Sequence, residues 1–208
     1  MAQYFSVHPD NPQLRLIRET VRILRAGGIM AYPTDSSYAL GCMIGNKEGM
    51  ERIRAIRQVD DKHHFTLVCR DLSEIAHYAR VDNRQYRLLK AATPGSFTFI
   101  LEATREVPRR LLHPKRNTIG LRVPDHAVVC ALLAELDEPI LSMTLSLPDE
   151  EQPLNDPVEI RDRIDKRVDV ILDSGPCSLK PSTVIDLTGE TPEVIRRGRG
   201  DPRPLGLE

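Results

Sequence analysis

Two periods of apolar residues divide the chain. Leu14, Ile17, Val21 and Leu24 recur at intervals of three and four, which predicts an amphipathic helix that Gly27-Gly28 ends by freeing the backbone past its last turn. Ile29 to Tyr32 predicts a strand. Pro33 stops it, and the polar loop Thr34-Asp35-Ser36-Ser37 follows at its carboxyl end, where open α/β sheets place ligand sites. Asn46 is placed to cap a second helix that buries Met50, Ile53 and Ile56 and leaves Arg52, Arg54 and Arg57 to solvent or ligand. A second strand is expected over Phe65 to Cys69, with helices over Leu72 to Tyr78 and Asn83 to Ala91.

Beyond Thr93-Pro94-Gly95 the period shortens to two. In Ser96 to Leu101, Phe97, Phe99 and Leu101 share a face; in Thr118 to Val123, Ile119, Leu121 and Val123 do so and leave Thr118, Gly120 and Arg122 opposite. Leu141 to Leu147 repeats the pattern, its apolar residues alternating with Ser142, Thr144 and Ser146. Asp125 is the expected cap of a helix through Leu136, and Asp149 to Asp165 reads as an acidic, exposed stretch. Val168 to Leu172 and Thr183 to Leu187 predict two more strands, and an arginine-rich tail begins at Arg196. Helices and strands alternate without a repeat or low-complexity tract. The expected fold class is therefore α/β, one domain over residues 1–208 with its core at about 12–200.

With 40% hydrophobic and 28% charged residues, disorder, collagen and coiled coil are excluded. The 29 basic and 30 acidic residues leave a formal charge of −1, so an anion site must come from local clustering. No apolar run approaches the roughly 20 residues that cross a bilayer, so no membrane association is expected. Residues 1–10 have neither a basic region nor an apolar core, and a cytoplasmic address is the expectation. Cys42, Cys69, Cys130 and Cys177 are irregularly spaced, with no zinc or disulfide pattern, and read as reduced thiols, most of them in the core. A cysteine nucleophile is the alternative, although no base neighbours any of them in sequence.

The common phosphate-loop, dinucleotide, nucleophile-elbow and zinc-protease motifs are absent. What remains is a set of strands whose non-core faces carry small hydroxyls and one arginine, together with arginines on helices and in the tail. Such groups suit an anion, because hydroxyls fix phosphate or carboxylate oxygens and guanidinium groups pair with them through two prongs. A wet face of a half-exposed sheet has the same composition. Arg122, inside an apolar strand, must meet water, a structural carboxylate or a ligand anion. His63 and His64 follow the charged turn Asp60-Asp61-Lys62 and read as solvated loop residues or as site residues. Arg105, Arg109, Arg110, Lys115, Arg116 and Arg122 share their stretch with one acid, Glu106, and form either a solvated face or a polyanion surface. With no tryptophan and 4% aromatic residues, stacking platforms for single-stranded nucleic acid are not expected.

Several blocks in order resemble one family. Tyr32-Pro-Thr-Asp-Ser-Ser-Tyr-Ala-Leu-Gly41 resembles the YPTETVYGLG-like segment of the YrdC/YciO family, the threonylcarbamoyl-AMP synthases and their relatives. Thr93-Pro-Gly-Ser-Phe-Thr-Phe-Ile100 is similar to its PGPxTxxL, Thr118-Ile-Gly-Leu-Arg-Val-Pro124 to its TxGxRxP, Ser182-Thr-Val-Ile-Asp186 to its STVxD and Ile195-Arg-Arg-Gly198 to its LRxG. The pattern is nearest the YciO branch.

The resemblance implies a YrdC-like fold, a twisted mixed open sheet with flanking helices and a large positively charged concave face. It implies a nucleotidyltransferase that converts ATP, L-threonine and bicarbonate to threonylcarbamoyl-AMP and pyrophosphate for transfer-RNA modification. Magnesium is expected to arrive with ATP, with no dedicated metal site and no tightly bound cofactor. Carried over by position, Arg57, Thr118, Thr144 and Arg196 would contact the nucleotide, and Ser36, His63, Arg122 and Ser182 the threonine. No covalent nucleophile is implied. The alternative is a protein of the same fold that binds double-stranded RNA or transfer RNA with little or no catalysis, Arg109, Arg110, Lys115 and Arg116 being the candidate contacts.

Two departures bear on activity. The family's KxRPxx[HNK] run reads Arg57-Gln-Val-Asp-Asp-Lys-His63, with Val59 at the second basic position, and its SANxSG run reads Thr144-Leu-Ser-Leu-Pro-Asp149. One lost charge-assisted hydrogen bond is worth on the order of 1.5–3 kcal/mol, or roughly ten- to a hundredfold in rate, so weak or altered catalysis is expected.

Overall fold

The computed structural model describes residues 1–60, 63–148 and 150–207. Asp61, Lys62 and Asp149, which fall in the two divergent motif runs, lie outside the described residues. In chain order the elements are β1 (Gln3–Ser6), α1 (Leu14–Arg25), β2 (Met30–Tyr32), β3 (Ala39–Met43), α2 (Lys47–Arg57), β4 (Thr66–Val68), α3 (Leu72–Tyr78) and α4 (Asn83–Ala92). They continue with β5 (Phe97–Glu102), β6 (Thr118–Arg122), α5 (Ala127–Leu136), β7 (Ile140–Thr144), α6 (Pro157–Ile164), β8 (Val170–Asp173), β9 (Thr183–Asp186) and β10 (Glu193–Arg196). The strands form one mixed sheet in the order β1-β8-β2-β3-β7-β4-β6-β5-β9-β10.

The period-two alternation gives this sheet two faces with different fates. On one face Leu40, Leu67, Phe99, Leu121, Leu141 and Ile171 join the apolar sides of α2, α3, α4 and α6 in a continuous core. On the other, Met30, Tyr32, Val68, Ile140 and Val170 pack under α1 and α5, whose Ile17, Val21, Leu132 and Leu133 complete a second cluster. Each such side chain contributes about 1.5–3 kcal/mol by leaving water. The second cluster stops at Val68 and Ile140. Past that limit the same sheet face carries Thr66, Thr98, Gly120 and Val184, and these line a cavity instead of a helix interface.

Most of the predicted elements are present, and Asn46 caps α2 by accepting from the Gly49 N–H at 2.8 Å. Four expectations are corrected. The cap of α5 is His126, whose Nδ1 accepts from the Val128 N–H, because the helix starts at Ala127 and leaves Asp125 one residue ahead of the cap position. The exposed stretch at 149–165 contains α6, with Asp156 as its cap, Pro157 in its first turn and Ile160 and Ile164 buried among the acids. β7 starts at Ile140 and ends at Thr144, short of Leu147, because the Ser146 N–H turns back to the Thr144 carbonyl. Of the four thiols only Cys42 and Cys69 are buried; Cys130 is exposed and Cys177 half-buried.

The pattern also missed β1, β3 and β10. β1 pairs with β8 in parallel, so the sheet begins at Gln3, ahead of residue 12. β3 pairs antiparallel with both β2 and β7, and with Ala39 in one cluster and Leu40 and Cys42 in the other both of its faces are buried, which removes the alternation that would have marked it. Among the described residues no helix is long and apolar enough to cross a membrane.

Candidate functional site

The half-face left open by α1 and α5 is the floor of a cavity of about 700 Å³. Thr66, Thr98, Gly120 and Ser142 form that floor from four strands. A Cβ at Gly120 would meet Thr66 Oγ1 at 3.3 Å and Thr98 Cγ2 at 3.4 Å, so the absent side chain keeps the centre of the floor low.

Strand pairing gives the cavity two ends. Arg122 marks the first. It is 8% exposed, and its Nη2 is paired with Asp35 Oδ1 while Nη1 donates to Ser36 Oγ at 3.2 Å. Its Nε is buried without a protein partner among the described residues. Asp35 is itself held by two other segments: Oδ2 accepts from Ser96 Oγ and from the Asp125 N–H, both at 3.1 Å. Arg122 thus satisfies two of the outcomes its sequence position allowed, meeting a structural carboxylate while it lines a cavity. Beside it, the hydroxyls of Thr98 and Ser182 are hydrogen-bonded at 2.7 Å.

Two further guanidinium groups reach the same space. Arg57, from the end of α2, donates through Nη1 to His63 Nε2 at 3.0 Å, and its Nε is buried without a protein partner among the described residues. Arg196, from the end of β10, donates to the Ser182 carbonyl at 2.9 Å. Neither is ion-paired among the described residues, in contrast to Arg122. Burial and the nearby Arg196 charge lower the pKa of Arg57, and desolvation and the Arg122 charge lower that of Arg196. Both remain cations, since arginine does not lose its proton in proteins. Crowded like charges favour an added anion. Burial, and then the Arg57 charge, hold the His63 imidazole below its ordinary pKa of 6.5, which keeps Nε2 free to accept from Arg57.

The second end is set by register. Thr66 pairs with Gly120 on one side and Ser142 on the other, so His64, Thr118 and Thr144 lie at one level. Arg122 is four residues further along β6, about 13 Å away at the strand repeat. His113 is fixed beside Thr118 by its N–H, which donates to the Thr118 carbonyl at 3.0 Å, and Arg116 reaches Asp186 at 3.5 Å. The segments 151–153 and 179–182 form the remaining walls.

Seven of the eight ligand candidates read from the sequence therefore line one cavity: Arg57, His63, Thr118, Arg122, Thr144, Ser182 and Arg196. Ser36 does not. It is 1% exposed and stands behind Arg122 as its acceptor. Of the RNA candidates, Arg116 is on the cavity rim, whereas Arg109, Arg110 and Lys115 are exposed and off its wall. Sequence reasoning missed Asp35 as the partner of Arg122, and Thr66, Thr98 and His113 as wall residues. The lone acid in the 34–37 loop was the available signal for Asp35; His113 carried none.

A mixed α/β sheet with half of one face open and lined by hydroxyls and arginines defines the class of this fold and site. The chain belongs to the Sua5/YciO/YrdC family: the family model Sua5_yciO_yrdC, described as telomere recombination, matches residues 22–198. It is 57% identical over 205 residues to the uncharacterized protein YciO of Escherichia coli strain K12, covering 99% of this chain and 100% of that one. The crystal structure of E. coli YciO superposes with a TM-score of 0.94 over 98% of this chain and 99% of that chain. At 22% identity, P. abyssi Sua5 in complex with L-threonine shares the fold with a TM-score of 0.85, over 94% of this chain and 57% of that chain.

Proposed function

We propose that the cavity binds ATP and L-threonine and that the chain joins them, with bicarbonate, into threonylcarbamoyl-AMP, releasing pyrophosphate. The observation that carries this reading is the convergence of Arg57 and Arg196, both lacking a carboxylate partner among the described residues, on the space that also holds Arg122. Asp35 offsets the charge of Arg122, so attraction for a polyphosphate falls to Arg57 and Arg196. The Arg122 N–H groups that Asp35 and Ser36 leave unused, and the Thr98–Ser182 hydroxyl pair beside them, suit an amino-acid carboxylate. Thr118 and Thr144, at the other end, are left to the nucleoside. Proteins of like fold have been solved with these classes of ligand, a Sua5 with L-threonine and a HypF, at a TM-score of 0.76, in its phosphate- and nucleotide-bound form, which supports a cavity that takes both.

In this reading the threonine amine first attacks the bicarbonate carbon, the C–N bond forms as a C–O bond breaks, and water leaves to give a carbamate. A carbamate oxygen then attacks the α-phosphorus in line, the new P–O bond forms, and the bond to pyrophosphate breaks with its electron pair on the leaving oxygen. The protein contributes position and charge, not a covalent nucleophile. Arg57 and Arg196 offset charge on the phosphates, His63 orients Arg57, and magnesium enters as part of the nucleotide substrate. Turnover is slow, because Val59 and the segment at 144–149 lack the second cation and the amide of the family pattern. The product would serve transfer-RNA modification.

A pyrophosphate-release assay with ATP, bicarbonate and threonine tests the reading. Release that requires all three, and that rises about tenfold in Val59→Arg, supports it. Release with a different amino acid moves the acyl substrate; no release with any amino acid, together with no binding of ATP or threonine, removes it.

A second reading is favoured by the exposure of Arg109, Arg110, Lys115 and Arg116, the last of which borders the cavity. There the chain holds double-stranded or transfer RNA without turnover. Binding would fall steeply with salt and with Arg109→Glu or Arg116→Glu; no retention on a filter at physiological salt removes this reading.

A further inference from the structure

The cavity end opposite Arg122 contains a pair of rings that neither the resemblance nor the polyphosphate argument uses. The rings of His64 and His113 lie with centroids 5.1 Å apart and planes inclined at 43°, and both border the cavity. They come from separate segments, His64 from the approach to β4 and His113 from the loop ahead of β6. Phe65 also touches the cavity, but it is 2% exposed and belongs to the core on the other face. Among the described residues the flat groups offered to a ligand are therefore the histidine rings and the guanidinium planes.

The chemistry of His113 is fixed by its own loop. Its Nδ1 accepts from the backbone N–H groups of Lys115 at 3.3 Å and Arg116 at 3.2 Å. An Nδ1 that accepts carries no proton, so the neutral ring holds its hydrogen on Nε2, as a donor. Burial, and then His113 and Arg54, hold the pKa of His64 below the ordinary 6.5, which favours its neutral form. Neutral imidazoles stack on nucleobases as other aromatic side chains do.

We propose that His64 and His113 form a nucleobase subsite at the Thr118 end of the cavity, His64 stacking on the base and His113 directing its Nε2–H to one of its ring acceptors. The inference rests on the nucleotide reading of the cavity and assigns the part of the ligand that the arginines do not. Thr118 and Thr144, at the same level of the sheet, then lie beside the ribose, with the phosphates directed along the floor toward Arg57 and Arg196.

The test is calorimetric titration of the full chain with ATP and, separately, with inorganic tripolyphosphate, which has the charge but no base. Wild-type protein is expected to bind ATP at least about fivefold more tightly than tripolyphosphate. His64→Ala is expected to weaken ATP about tenfold and leave tripolyphosphate unchanged. His113→Asn, which keeps an acceptor for the loop N–H groups and removes the ring, should do the same, and His64→Phe should retain ATP affinity. Equal wild-type affinity for the two ligands overturns the subsite while leaving the polyphosphate site intact. Equal losses for both ligands in the variants also overturn it. If wild-type protein binds neither, the nucleotide reading fails and the subsite fails with it.

Discussion

Asp35 and Arg122 form a buried ion pair at one end of the cavity, with 8% and 10% of their side chains exposed. The pair joins the loop after β2 to β6, and the carboxylate is held further by Ser96 and Asp125. Removing one member leaves the other charged and desolvated. Asp35→Ala is therefore expected to cost about 3–5 kcal/mol in urea unfolding. Asp35→Ala combined with Arg122→Met should recover part of that loss, because the orphaned charge goes with it.

The arginine-glycine block at 195–198 has a packing reason. A Cβ at Gly198 would lie 2.2 Å from the Pro181 carbonyl oxygen and 2.6 Å from the Ser182 backbone. Its N–H donates to Thr183 Oγ1 at 2.9 Å, so the contact is tied from both sides. Gly198→Ala must push the chain away from Ser182, whose carbonyl holds Arg196. The expected result is a loss of about 1–3 kcal/mol in unfolding together with weaker ATP binding.

Acid should weaken the fold through histidines held neutral. Burial is the first cause that lowers the pKa values of His63, His64 and His126 below the ordinary 6.5. Unfolded, these rings titrate near 6.5; above that value both states are neutral and pH has no effect through them. Below it the unfolded chain binds more protons, so stability falls until pH passes the lowered folded values. His126 also loses its acceptor role at Val128 when Nδ1 is protonated. The urea midpoint should decline as pH falls below about 6.5, and His126→Gln should flatten that decline.

Much of this architecture was legible because burial acts on periodicity. The helices at 14–25, 47–57 and 127–136 bury one side, and β5 and β6 turn their apolar residues to the core at every second position, so their patterns survive in sequence. β3 lost its pattern because both of its faces are covered, and β10 because it is a mostly exposed edge. α6 was masked by Glu159, Arg161, Asp162 and Arg163 around two buried isoleucines. The site was readable where strand alternation placed a hydroxyl or arginine opposite a core residue, as for Thr118 and Arg122. Asp35 was read only as part of a polar loop and Ser36, through the resemblance, as a threonine contact, since nothing local says that the first would pair with Arg122 and the second stand behind it. The ring pair of His64 and His113 depends on a contact between residues almost 50 positions apart, which no local pattern encodes.

The proposed function requires Arg57 and Arg196 to hold a polyphosphate in the cavity. Calorimetric titration of wild-type protein, Arg57→Ala and Arg196→Ala with ATP tests it most directly. Binding that weakens about tenfold or more in each variant, with urea midpoints near wild type, is the predicted result. Wild-type affinity retained in both variants would contradict it.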